Sequence, residues 1–377
     1  MKLTTIIGTA IGAVSLAACG SSSTPSTTSP TLNPTATPSP TPSPTPTPAP
    51  LVVTVGGTQS LRQLTLVGED GRVAATVAVS GGIDGNAYYV GSDHVYFIDG
   101  TYVKALARDG SISVAGQIPQ LGTTVTAADR QAYTTFAVSP DESTIMFGIP
   151  LAVAGDNGAT ADHSQLWTEP VGGTAASATL VYNDANDTVN GGQVLLPFAW
   201  NSAGIAVSQR PKGLGGAGPF LNYTAFQAVT FDPATRTLEN SWKCPVSDQS
   251  GSVCVTPEST SSFSSELQVV RSSGTMTLTM QPANAQYGAI SVSADGRYLA
   301  YGAYVGEFGS GYYMTKVVDL GTDTTIASLR GFSPGVWLSD DRLSVDAGPF
   351  QAGTWLLSPT FTSPVEISPD SPVGVLA

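Results

Sequence analysis

Few side chains in this sequence could carry chemistry. Its 377 residues hold two His, three Cys, and 28 Asp plus Glu against 15 Lys plus Arg. Any Ser-His-Asp mechanism must use His94, which follows Asp93, or His163, which follows Asp162. The spacing favours a turn residue for His94 and a loop residue for His163. No His-Glu-x-x-His zinc pair is present, and Cys and His are too few for a structural zinc cluster. Asn183 to Asn190 reads NDANDTVN, but Thr188 occupies the fifth position of the calcium-loop pattern and no Glu closes it. No cofactor is expected. The net charge of −13 speaks against nucleic acid, whose phosphates require clustered Lys and Arg.

The elements that must position these residues begin with an address. Met1 to Ala18 has one cation, Lys2, an apolar run and small residues at its end, which is the pattern of a secretory signal. Leu16-Ala17-Ala18-Cys19 resembles the lipobox of bacterial lipoproteins. That resemblance implies cleavage before Cys19, acylation of its sulfur, and attachment to the cell membrane or outer membrane on the extracytoplasmic side. Gly20 to Pro50 follows, with ten Pro among 31 residues and almost only Ser and Thr between them. Such a segment builds no core and favours an extended polyproline stalk. The expected divisions are a signal over 1–18, a lipidated linker over 19–50 and a folded domain over 51–377.

That domain shows short runs rich in Val, Ile, Tyr and Thr, divided by Gly, Asp, Ser and Pro, which reads as all-β. It also repeats. Phe136-Ala-Val-Ser-Pro-Asp-Glu-Ser-Thr-Ile-Met-Phe-Gly148 aligns with Ile290-Ser-Val-Ser-Ala-Asp-Gly-Arg-Tyr-Leu-Ala-Tyr-Gly302. Turn serines recur at 92, 139, 202, 247, 293 and 339. A second turn series falls near Asp70, Asp109, Gly172, Pro233, Ser273, Thr322 and Pro359. Two hairpins per unit of about 45 residues are the pattern of a β-propeller with four-stranded blades.

The two clear copies resemble the WD-like repeats of TolB-type propellers, in which the Ser-Pro-Asp-Gly turn joins the innermost strand of a blade to the second. Asp141-Glu142 departs from the Asp-Gly of that pattern. Propellers of this type usually have six blades. Here residues 51–79 supply three strands without a fourth, and the terminal Val373 to Ala377 can complete them. The expected architecture is therefore seven blades, with six as the alternative.

In an oxidising compartment, Cys244 and Cys254, which flank a repeat turn, are expected to form a disulfide. Four connections between second and third strands look long: 149–164, 209–224, 302–314 and 346–353. Insertions gathered on one face of a repeat fold mark a binding face. The candidate ligand residues there are Arg210, Phe220, Tyr223, Tyr304, Glu307, Phe308, Tyr312, Tyr313 and Phe350. Trp167, Trp200, Trp337 and Trp355 are expected on strands, packed between blades. The expected function is a monomeric, membrane-anchored, non-catalytic module for an envelope protein or glycan. The alternative is a propeller enzyme of lactonase, lyase or glycoside hydrolase type.

Overall fold

The computed structural model describes residues 48–58, 61–79, 88–119, 134–155, 158–183, 193–201, 204–211, 229–239, 244–248, 251–257, 265–307, 310–338, 342–347 and 353–376, with main chain alone at 150–155, 158–163, 193–194, 208–211 and a few strand ends. Their strands form seven sheets of four. Blade 1 joins β28 (Ser371–Leu376) to β1 (Leu51–Thr58), β2 (Leu61–Gly68) and β3 (Val73–Val79). Blade 2 is β4 (Tyr88–Val90), β5 (His94–Asp99), β6 (Tyr102–Ala107) and β7 (Ile112–Gln117). Blade 3 is β8 (Thr135–Val138), β9 (Thr144–Gly155), β10 (Gly158–Pro170) and β11 (Thr179–Asn183). Blade 4 is β12 (Gln193–Asn201), β13 (Gly204–Pro211), β14 (Val229–Asp232) and β15 (Thr237–Glu239). Blade 5 is β16 (Val246–Ser247), β17 (Val253–Pro257), β18 (Glu266–Arg271) and β19 (Gly274–Thr279). Blade 6 is β20 (Gln286–Val292), β21 (Tyr298–Val305), β22 (Tyr312–Asp319) and β23 (Thr324–Arg330). Blade 7 is β24 (Ser333–Trp337), β25 (Leu343–Asp346), β26 (Thr354–Leu356) and β27 (Val365–Ser368).

Edge strands of neighbouring sheets stand side by side: β28 by β4, β4 by β8, β8 by β12, β16 by β20, β20 by β24, and β24 by β28. The protein is thus a seven-bladed β-propeller, and these strands line its channel. The ring closes as the strand count predicts. β28 pairs antiparallel with β1, from Leu51 opposite Leu376 to Val55 opposite Ser371. Arg108 adds a clamp: its Nη1 donates to the Leu376 carbonyl at 2.9 Å and its Nη2 to that of Ala49.

Apolar side chains alternate along each strand, so both faces of a blade bury residues against its neighbours. One buried cluster joins Leu64 and Leu66 of blade 1 to Val95 and Phe97 of blade 2. Another joins Tyr96 and Ile98 to Phe136 and Phe147 of blade 3. A third joins Val255, Leu267 and Val269 of blade 5 to Tyr287, Leu299 and Tyr301 of blade 6. Each such Leu, Val or Phe contributes about 1.5–3 kcal/mol by leaving water. The four expected Trp lie on β10, β12, β24 and β26 and border these clusters, with Trp337 stacked on Tyr298 across the blade 6–7 boundary at 6.1 Å.

The Ser-x-Asp turns explain the repeat chemically. Ser293 Oγ donates to Asp295 at 2.7 Å and accepts the Tyr298 N–H at 2.9 Å. Ser139 does the same with Asp141 and Thr144, at 2.6 and 3.0 Å. In blade 5 the expected register is off by one. Asp248, not Ser247, takes the serine's place, accepting the Val253 N–H at 2.8 Å and the Ser252 hydroxyl at 2.7 Å. A carboxylate accepts from a following N–H as well as a hydroxyl does, so the substitution is tolerated. Ser202 and Ser339 lie outside the described residues.

Candidate functional site

The described Ser-x-Asp turns share one end of the ring with the second turn series. Ser92 of blade 2 meets Glu142 of blade 3, Arg342 of blade 7 pairs with Glu69 of blade 1, and Arg271 of blade 5 reaches the Leu320 carbonyl of blade 6. This end is the turn face. The connections between second and third strands lie at the opposite end.

Two of the four long connections there are largely strand. Residues 149–155 and 158–164 lie in an extended ladder in which β9 and β10 pair from Thr144 opposite Pro170 to Gly155 opposite Gly158. His163 therefore lies on β10, opposite Leu151, and not in a loop. Its sequence carries few turn formers before Gly155, and alternating Ala and Val continue the ladder. Likewise, β21 and β22 remain paired out to Val305 opposite Tyr312.

That extension corrects part of the expected ligand face. Tyr304 and Tyr313 face each other across the ladder, on the side turned to blade 7, and are 2% and 8% exposed. Their rings meet edge-on at 5.0 Å. The Tyr304 hydroxyl donates to the Glu307 carbonyl at 2.9 Å and accepts the Gly311 N–H at 3.0 Å. A Cβ on Gly311 would lie 2.7 Å from the Tyr304 ring and 2.5 Å from the Val305 carbonyl oxygen, so only glycine admits this packing. Both tyrosines are thus used internally, and burial, then the Tyr304 neighbour, raises the Tyr313 phenol above its usual range.

Strand alternation sends Tyr312 to the other side, towards blade 5. It is half-buried, and the exposed Arg330 guanidinium lies 3.9 Å over its ring. Glu307 is exposed on the adjoining turn. Phe220, Tyr223, Phe308 and Phe350 lie outside the described residues, as does Cys19, and Arg210 is described in main chain only, on β13.

Among the described residues, the seven innermost strands carry no Asp, Glu, His, Lys or Arg. Their polar groups are Ser, Thr, Gln, Asn, Tyr and Trp. Among the described residues, no three of His, Cys, Asp and Glu are grouped to hold a metal. Gly331-Phe332-Ser333-Pro334-Gly335 spells the hydrolase pattern Gly-x-Ser-x-Gly. Ser333, however, opens the sheet strand β24 and does not sit at the strand-to-helix turn that exposes a nucleophile.

One cluster escaped sequence reasoning. Glu142 holds a left-handed backbone, φ 51°, where Gly296 and Gly251 stand in the equivalent turns at 72° and 71°. Its carboxylate crosses to blade 2. Oε1 accepts from the Asp93 N–H at 2.7 Å and the Ser92 hydroxyl at 3.0 Å. Oε2 lies 2.7 Å from His94 Nδ1 and 2.7 Å from the Tyr96 hydroxyl. Burial pushes the Glu142 carboxyl up, but these four bonds outweigh it and hold it below its ordinary value, while burial and the Glu142 bond raise Tyr96. The departure from Asp-Gly at this position was the visible signal. Cys244 and Cys254 form a disulfide, with Cα atoms 5.4 Å apart, bracketing the blade 5 turn.

No protein family and no curated protein matches the chain by sequence. Among solved structures it is similar to the dihydro-heme d1 dehydrogenase NirN, at 13% identity over 86% of this chain and 74% of that one, TM-score 0.48. It is similar to a prolyl endopeptidase at 12% identity over 84% of this chain, TM-score 0.47, and spans 49% of that chain. TolB from Acinetobacter baumannii is similar at 10% identity over 86% of this chain and 81% of that one, TM-score 0.36.

Proposed function

We propose that the chain is a lipid-anchored extracytoplasmic protein whose propeller is a non-catalytic binding module for an envelope glycan or protein. The observation that carries this reading is the channel wall. A propeller hydrolase or lyase working at its channel would place paired carboxylates or metal ligands on the innermost strands. Here all seven hold only neutral side chains. The Leu-Ala-Ala-Cys19 ending and the Pro-rich stretch to Pro50 support an anchored, displayed domain.

Two experiments test it. Cells fed an alkyne-tagged palmitate should label the wild-type chain and not Cys19→Ser, and only the wild type should stay with the membranes. Pull-down of the full chain from solubilised envelopes should recover a specific glycan or protein. Equal labelling of both forms overturns the anchor. Repeated recovery of nothing above a mock bait overturns the binding module.

A further inference from the structure

The described cations of this acidic chain are mostly neutralised within the fold. Arg72, Lys104, Arg297 and Arg342 pair with Asp70, Asp99, Asp319 and Glu69. Arg108 and Arg271 bond main-chain carbonyls. Arg330, Lys316 and Arg236 are different. None of the three meets a carboxylate among the described residues. Arg236 stands alone in the blade 4 turn, whereas Arg330 and Lys316 both lie on one side of blade 6. Met314 stands opposite Arg330 and Lys316 opposite Ser328, so Arg330 and Lys316 are diagonal neighbours on one face. Diagonal Cα atoms in such a ladder are about 7–8 Å apart. The Arg330 guanidinium lies 3.9 Å over the Tyr312 ring, a contact that restricts where the exposed fork can be placed for an incoming oxygen pair. Ser328, exposed between them, adds a hydroxyl.

The site lies at the end of the ring opposite the turn face. β1 begins with Leu51 opposite Gly68 and Leu376, beside the 69–72 turn, so the chain enters the propeller on the turn face. Tyr312 opens β22 and Arg330 closes β23, at the other end of blade 6 from the 320–323 turn. Two cations on one face beside an aromatic ring and a hydroxyl suit a sugar ring bearing a carboxylate.

From this placement the geometry points to Arg330, Lys316 and Tyr312 as a recognition site for the carboxylates of an acidic glycan; it rests on the binding-module reading above. The test uses the full chain in detergent and alginate, a polyuronate, as the probe, in low and moderate salt. Neutral dextran, poly-glutamate and anionic phosphatidylglycerol vesicles serve as comparisons. Wild type should bind alginate and not dextran, and salt should weaken binding. Arg330→Gln should weaken it at least tenfold and Lys316→Gln severalfold. Arg330→Lys, which keeps charge without the fork, should fall between. Glu307→Gln, removing a neighbouring repulsive carboxylate, should strengthen it. Arg236→Gln, an exposed cation in the blade 4 turn at the opposite end, controls for net charge and should change nothing. An equal loss in Arg236→Gln, no alginate binding by wild type, or tighter binding to poly-glutamate or vesicles than to alginate would overturn the site. If envelope pull-down succeeds and Arg330→Gln leaves it unchanged, the site fails while the module stands. If pull-down recovers nothing, the module fails.

Discussion

The carboxylate of Glu142 lies 2.7 Å from Nδ1 of His94, 48 residues earlier in the chain and one blade away. A left-handed non-glycine residue costs about 1–2 kcal/mol. The turn keeps it because one side chain ties Ser92, Asp93, His94 and Tyr96 to the next blade. Glu142→Gly removes the strain and the tie together. Charged hydrogen bonds outweigh the strain, so the variant should lose about 1–2 kcal/mol net, read as a lower urea midpoint. A midpoint at or above wild type would show that the tie is worth less than the strain.

The same carboxylate sets an acid limit. Its folded pKa lies below the ordinary 4.5, so its stabilisation is fully present above that value and is lost as pH falls through the folded pKa. Urea midpoints should drop on acidification below about pH 4.5 in wild type, and drop less in Glu142→Gln. Parallel curves for the two proteins would refute the assignment.

Glu169 should behave in the opposite sense. It is fully buried at the blade 2–3 boundary, where Oε1 accepts the Gln117 N–H at 3.1 Å and Oε2 has no partner. β7, the described side chains of β9 and the 171–178 turn, which pack around it, contain no ionisable side chain. Burial, only partly offset by the Gln117 N–H, raises its folded pKa. Its contribution is greatest below the ordinary 4.5 and is lost as pH rises through the folded value. Glu169→Gln should therefore gain about 1 kcal/mol at pH 7 and flatten the neutral-side slope of the midpoint. A loss of stability at pH 7 with the slope retained would contradict this.

Ring closure should dominate the energetics of the domain. Deleting Ser371 to Ala377 removes the channel strand of blade 1 and the carbonyl that Arg108 clamps. The truncated chain should lose more than about 4 kcal/mol or fail to give one cooperative unfolding transition. A wild-type midpoint after truncation would mean that blade 1 does not need its fourth strand.

The staple in blade 5 is local and smaller. Cys244→Ser with Cys254→Ser opens a ring spanning a sequence separation of 10 and should cost about 2.5–3 kcal/mol. Thiol titration of the unreduced protein should find neither cysteine, and finding both would remove the disulfide.

The sequence by itself determined what depends on neighbours along the chain. Ser293-Ala-Asp295 builds a tight turn with its own side chains, so the turn announces itself, and together with the seven turns of the second series its recurrence counts the blades. Strand counting over 51–79 even located the closing strand, because three strands leave an open edge that only the chain end can fill. Cys244 and Cys254 bracket one hairpin and could be paired without a fold. The tertiary structure decided what depends on register and on neighbouring blades. Tyr304 and Tyr312 are both aromatic residues of one hairpin, yet one is sealed beneath Tyr313 and the other carries Arg330. That difference follows from how far the ladder extends, since each residue of register reverses the face a side chain occupies. Glu142 looked only like a flaw in the repeat. Its partners lie 46 to 50 residues away, and the packing of blade 3 against blade 2 brings them to a single carboxylate.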